Sequence, residues 1–154
     1  QINLLRPKST GTVRLKSSNP DEDLQINPNW FSDLSDMDDL VEGMKHTREV
    51  LSKPSLSKIV SDELLPGKNV KNDEDMKESI RNHVQTGHHP ASTCAMGSDN
   101  NKLAVLDAKL RVKGIKNLRV VDASSFPDMI SGNINASVIM LAEKAADMIL
   151  QNIN

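Results

Sequence analysis

Leu118-Arg119-Val120-Val121-Asp122-Ala123-Ser124-Ser125, followed six residues later by Gly132-Asn133-Ile134-Asn135-Ala136, is the passage on which the fold turns. The β-branched pair Val120-Val121 predicts a short strand over 118–123. It ends in a carboxylate, Asp122, where ligand-facing groups of α/β sheets commonly lie. The serines that follow keep a second reading open, in which Asp122 forms a turn or cap. Gly132 to Asn135 predicts a turn that feeds a helix from Ala136 to about Gln151. Asn135 is the better N-cap candidate, which leaves Asn133 without an obvious structural task. Val138, Ile139, Leu141, Ala145, Met148 and Ile149 make that helix apolar over much of its circumference. Such a helix is expected to sit between other elements rather than on a surface.

Working back along the chain, Gly87-His88-His89-Pro90 to Gly97 is dense in small and polar residues and reads as loop. Before it, Met76, Ile80 and Val84 recur every four residues and predict a capped helix from about Asn72 to Val84. Another helix is expected from an N-cap at Ser35, with Asp36, Asp38 and Asp39 in its first turn and Pro54 as its stop. Met37, Leu40, Val41 and Met44 share one face of it. Ser17 to Pro28, with Asp21-Glu22-Asp23 inside it, reads as a polar connector. The opening, Leu4 to Leu15, reads as strand, turn and strand, punctuated by Pro7 and Gly11.

Composition narrows the function classes. In 154 residues only 37% are hydrophobic, and Trp30, Phe31 and Phe126 are the whole aromatic complement, so the core must be aliphatic and methionine-filled. That leanness hints at an incomplete unit. A net charge of −2 with both signs interspersed gives a nucleic-acid partner little support. Cys94 is the sole cysteine, which excludes a disulfide framework. No apolar run approaches a membrane span and no signal peptide is evident, so a cytoplasmic location is the expectation. A first residue of Gln1 rather than Met suggests a trimmed or partly recorded product.

His89 is the strongest chemical candidate: Pro90 pushes it toward extended backbone, and imidazole accepts a proton near neutral pH. A lone loop histidine is nonetheless more often structural or solvated. Asn133 could aim a hydrogen-bonding group at a ligand heteroatom, or simply form the turn. Cys94 with His88 or His89 makes a poor nucleophilic dyad, since loop neighbours so close in sequence rarely form one. The same three residues lack a convincing fourth ligand for zinc, so no metal site is expected.

Taken in series, the segments resemble the carboxy-terminal region of the glucose–methanol–choline oxidoreductases, flavoenzymes that oxidise alcohols. The resemblance rests on His89-Pro90-Ala91-Ser92-Thr93-Cys94-Ala95-Met96-Gly97, then Val105-Leu106-Asp107, then Leu110-Arg111-Val112-Lys113-Gly114. It continues through Leu118 to Ser124, Gly132 to Ala136 and Ala142-Glu143-Lys144-Ala145-Ala146-Asp147. Leu5-Arg6-Pro7-Lys8-Ser9 with Gly11-Thr12-Val13 is similar to the strand that starts the family's substrate domain.

The resemblance implies that His89 is the acid/base of alcohol oxidation and Asn133 the second active-site group. It also implies that Asp122, Ala123 and the backbone of Asn133 and Ile134 line FAD, and that His88 walls the substrate pocket. Asn133 points toward the choline-oxidising branches. Ser92 stands where the family usually has Gly, and His88 where Tyr is common. The glycines at 11, 43, 67, 87, 97, 114 and 132 contain no Gly-x-Gly-x-x-Gly pattern, the cradle of the flavin pyrophosphate. An amino-terminal FAD-binding region of the same polypeptide is therefore the implied partner, and the isolated chain is expected to be inactive.

The fold expected is α+β, an antiparallel sheet with helices. Residues 1–98 would supply part of a substrate-binding domain, and 99–154 the strand and helix that rejoin the flavin side. Without that side, the apolar face of the last helix is expected to be exposed, misdocked or used in a homo-oligomer. A hydroxynitrile-lyase-like member of the same fold and a non-catalytic binding module are the rival readings. Peripheral membrane association of the full enzyme is compatible with all of them.

Overall fold

Two apolar clusters, each closed on itself, organise the chain. In this computed structural model, which describes residues 2–151, the compact units are Gln1–Thr86 and Gly87–Asn154. A boundary at residue 98 rests on the resemblance rather than on compactness.

In the first unit, strands β1 (Thr12–Arg14) and β2 (Gln25–Asn27) pair antiparallel, with Val13 opposite Ile26. The expected strand near Leu4 does not form, and β2 lies inside the stretch read as a connector. A turn explains the pairing. The Asn19 carbonyl accepts from the Glu22 amide, and its side chain accepts from the Asp21 amide, so the chain reverses. A β-carbon at Gly11 would run into the carbonyl oxygens of Asn27 and Pro28, so this close approach requires glycine. Every residue of both strands is exposed. A lone two-stranded ribbon is marginal in water, so this one is suited to a larger sheet.

Helix α1 (Ser35–Leu51) begins one residue earlier than the capping signal implied. Leu34 occupies the N-cap, and Ser35 instead donates its amide and hydroxyl to Asp33 Oδ1 at 3.0 and 2.7 Å. Helix α2 (Asp73–His83) follows its signal closely: Asn72 caps it, accepting from the Asp75 amide at 2.9 Å. The two helices bury Met37 and Val41 against Met76 and Ile80, with Phe31, Leu40, Met44 and Val70 around them. Each such side chain contributes about 1.5–3 kcal/mol on burial. The long connection between the helices is pinned by Arg48. Its guanidinium donates to the Glu63 carboxylate at 2.8 Å and to the Val70 carbonyl at 2.8 Å.

Asp36 ties the start of the chain to α1. It is 3% exposed and accepts from the amides of Lys8 and Ser9 at 2.9 and 2.8 Å. Burial works to raise its carboxyl, but the Ser9 hydroxyl and these two amides outweigh it and hold the group below the usual carboxylate range.

The second unit is mostly irregular until α3 (Asn135–Gln151). Residues 118–123 form no named strand. Arg119 makes a single bridge with Arg111, and Leu106 bridges Met96 on one side and Val112 on the other. Pairing stays local because the partner stretch, 106–112, folds back on itself around Asp107. That carboxylate accepts from the amides of Lys109 and Arg111 and from the Arg111 side chain. Burial raises it, yet those donors prevail and lower it. The tight turn delivers Leu106 and Leu110, both essentially inaccessible, into a core with Phe126, Ile134, Leu141 and Ala145.

Only one side of α3 enters that core. Leu141 and Ala145 are buried, whereas Ile139, Met140 and Leu150 are 55, 59 and 61% exposed. The expectation of a helix enclosed on both sides is therefore not met within this chain, and its second apolar face is open. Among the described residues no helix is long and apolar enough to cross a membrane.

Candidate active site

The site is assembled from three pieces of the second unit, all seated on one core. The first is the turn that ends the Val120–Asp122 stretch. Ala123–Ser125 is a single 3-10 turn, and the Asp122 carboxylate caps it by accepting the Ser124 amide at 2.7 Å. The cap reading of Asp122 thus holds, with the carboxylate still exposed. Ser125 completes a capping box. Its hydroxyl donates to the Val120 carbonyl at 2.9 Å and accepts the Asp122 amide at 3.4 Å.

The second piece is the loop carrying His88 and His89. The amides of Ser92, Cys94 and Met96 donate in succession to the carbonyls of Ala123, Ser124 and Ser125, at 3.2, 2.9 and 3.0 Å. The opposite edge of the loop pairs with 105–106: the Ala95 carbonyl accepts the Val105 amide, and the Gly97 amide donates to the Leu106 carbonyl. The loop therefore lies between the 123–125 turn and the 105–106 stretch, bonded to both, although no regular strand is formed.

His88 and Ser92 have φ of +59° and +69°, so the stretch carrying His89 and Pro90 is bracketed by two left-handed residues. Both histidines are exposed. The positive φ explains why Gly suits position 92 in the resembling sequences and means that Ser92 carries strain there. A left-handed non-glycine residue costs roughly 1–2 kcal/mol, and glycine gives back about 0.5–1 in unfolded-state entropy. Ser92→Gly is expected to stabilise the protein by about 0.5–1 kcal/mol. A fall in thermal midpoint on this substitution would mean that the serine side chain is itself used.

The third piece is Gly132 to Ile134. Gly132 adopts φ +142°, which turns the chain into α3. The Ile134 carbonyl accepts the Val138 amide at 2.9 Å, so Ile134, not Asn135, holds the N-cap position, and Asn135 is the first helical residue. The Ile134 side chain is buried in the core, which leaves only its backbone for a ligand. Asn133 is exposed, just ahead of the helix start.

Ala91 and Ala123 pack on the same cluster that holds Ile134. The anchors of His89, of Asp122 and of Asn133 are thus brought together, while the polar side chains themselves remain on the surface. Ser125 was missed among the candidates, because the usual capping-box pattern has Glu or Gln at its place and the box shows only in the structure. A surface cavity of about 330 Å³ lies elsewhere, in the first unit, lined by Asn29, Trp30, Phe31, Arg81 and neighbours, and none of the expected site residues borders it. Among the described residues no three His, Cys, Asp or Glu side chains gather as a metal site.

The sequence model of the GMC oxidoreductases matches residues 7–142. An alcohol dehydrogenase (acceptor) of Pseudomonas putida is 41% identical over 150 residues, covering 97% of this chain and 27% of that protein. The mitochondrial choline dehydrogenase of Homo sapiens is 41% identical over 145 residues, covering 94% of this chain and 24% of its own length. A formate oxidase structure from Aspergillus oryzae superposes with a TM-score of 0.89 at 34% identity, over 97% of this chain and 26% of that one. The chain spans about a quarter of the length of the curated relatives it matches.

Proposed function

Because the chain belongs to the GMC oxidoreductase family, we propose that it is the carboxy-terminal, substrate-side part of an FAD-dependent alcohol oxidoreductase. In this reading residues 1–98 contribute to the substrate domain, and 99–154 complete the active site and pack against the flavin side. The observation that carries it is the ladder holding the His89 loop against the Asp122–Ser125 turn, with Asn133 anchored in the same core.

The residues present suit the edge of a flavin rather than all of it. Small, half-buried Ala123 and the exposed stretch at Asn133 leave backbone and amide groups for a planar ring. No glycine-rich cradle for the pyrophosphate occurs in the sequence. When bound, the flavin would supply the acceptor for the hydride leaving the alcohol carbon. The chain's own task is the proton and the oxygen. A ring nitrogen of His89 takes the hydroxyl proton, and Asn133 Nδ2 donates to the same oxygen, holding the alcohol and countering developing alkoxide charge. His88, next to the base, forms part of the pocket wall.

The open apolar face of α3 and the fully exposed β1–β2 ribbon support a flavin-binding region of the same polypeptide as the covering partner, and an isolated chain without turnover. Choline and other small alcohols are the substrate class that the relatives favour.

The test is the visible spectrum of the flavin-loaded protein containing this chain, before and after anaerobic addition of an alcohol panel that includes choline. Bleaching by one alcohol supports the proposal and names the substrate. Flavin that stays oxidised while a hydroxynitrile is cleaved would assign a lyase instead, and a protein with no flavin would leave a binding module.

A further inference from the structure

Ser125 is the most enclosed polar residue of the second unit, with no accessible surface, yet alcohol chemistry gives it no direct part. A hydroxyl in that position is costly unless both its bonds are made. Here they are: it donates to the Val120 carbonyl and accepts the Asp122 amide, closing a ring across the Val120–Ser125 turn. The carbonyl of the same residue receives the Met96 amide, the last rung of the ladder that begins at Ser92. With Ser125 fully buried and the next residue, Phe126, in the apolar core, water cannot readily replace the hydroxyl.

Resting on the function proposed above, we infer that Ser125 is a positioning residue for the catalytic base. The Ser125 hydroxyl fixes the spacing of the three carbonyls of residues 123–125. Those carbonyls set the register of Ser92, Cys94 and Met96, and the His89 loop leaves that ladder three residues upstream of Ser92. The ring therefore determines where the imidazole stands relative to Ala123, on the flavin-lining side. Without the hydroxyl, the Asp122 amide and Val120 carbonyl lose their shared partner. The turn opens, and the first rungs of the ladder shift with it. Misplacement of a reacting group by about an ångström can cost on the order of 100-fold in rate, and a partial loosening costs less.

The test compares Ser125→Ala with Leu141→Val in the flavin-loaded protein containing this chain. Leu141 lies in the same core, on α3, and makes none of the ladder's hydrogen bonds, so it reports the effect of loosening the shared core with the ladder's own bonds intact. With the alcohol identified by bleaching, Ser125→Ala is expected to lower kcat for flavin reduction about 10-fold. KM and flavin content are expected to stay within about twofold, the mark of a displaced base rather than lost binding. Leu141→Val is expected to lower thermal stability while leaving kcat unchanged.

Should Ser125→Ala fail to load flavin, Ser125→Cys keeps the shape and a weaker donor, and is expected to show an intermediate fall in kcat. Equal kcat in unmodified protein and serine variants, or an equal fall in Leu141→Val, would overturn the inference while leaving the functional reading intact. Failure of the unmodified protein to bleach with any alcohol would overturn both.

Discussion

His89→Ala is expected to slow alcohol-driven flavin reduction by about 10²- to 10⁴-fold, the range spanned by positioned general bases. The imidazole is exposed on a loop whose backbone is held by bonds from Ser92 onward, none of them made by the histidine side chain. Its removal should therefore leave folding almost untouched, within about 0.5 kcal/mol, as for other surface substitutions. That separation makes the experiment decisive. Stopped-flow reduction under anaerobic conditions measures the rate, and the flavin spectrum of the oxidised variant reports that the site has assembled. A variant that keeps a normal flavin spectrum and reduces within threefold of the unmodified rate would remove His89 from the mechanism. The ladder would then be structural only.

Asp36→Ala is expected to destabilise the first unit by about 2–4 kcal/mol, because it strips partners from two amides bound to a buried carboxylate. The Lys8 and Ser9 amides reach across 28 and 27 residues to this one side chain, so the loss also frees the opening segment from α1. The same geometry has a pH signature. The folded-state carboxyl lies below its ordinary value, so the unfolded chain binds the proton more readily. Stability from Asp36 is thus fully present above about pH 4, where the unfolded carboxyl ionises, and drains away as pH falls through the lower folded value. Urea unfolding of the protein containing this chain, compared at pH 7 and at progressively lower pH, checks both points. Unmodified protein should lose more stability on acidification than Asp36→Asn. Parallel acid limbs for the two proteins would show that the carboxylate contributes nothing through its charge.

Much of the helical framework is legible along the chain. Asn72 with three acidic residues after it, and Met76 and Ile80 four apart, mark α2 because a cap and a repeat of 3.6 are both local signals. The start of α3 after Gly132 is legible for the same reason, although its cap proved to be Ile134 rather than Asn135. The family motifs around His89, Asp122 and Asn133 are contiguous stretches, and they can be recognised without knowing where they meet.

The strands are not legible in this way. Gln25-Ile26-Asn27 is too short to establish an alternation, and it becomes β2 only because the Asn19 turn lays it beside Thr12–Arg14. Residues 118–123 look like a strand by composition, yet the fold-back at Asp107 allows them only a single bridge. Pairing between separate stretches sets both outcomes, and neither composition nor local periodicity records it. The burial of Asp36 is hidden for a like reason: the amides that satisfy it, of Lys8 and Ser9, lie 28 and 27 residues away. The sequence by itself determined which residues could do chemistry and which helices would form. The tertiary structure decided what holds those residues in place, because backbone pairing and polar burial depend on partners that only folding brings within reach.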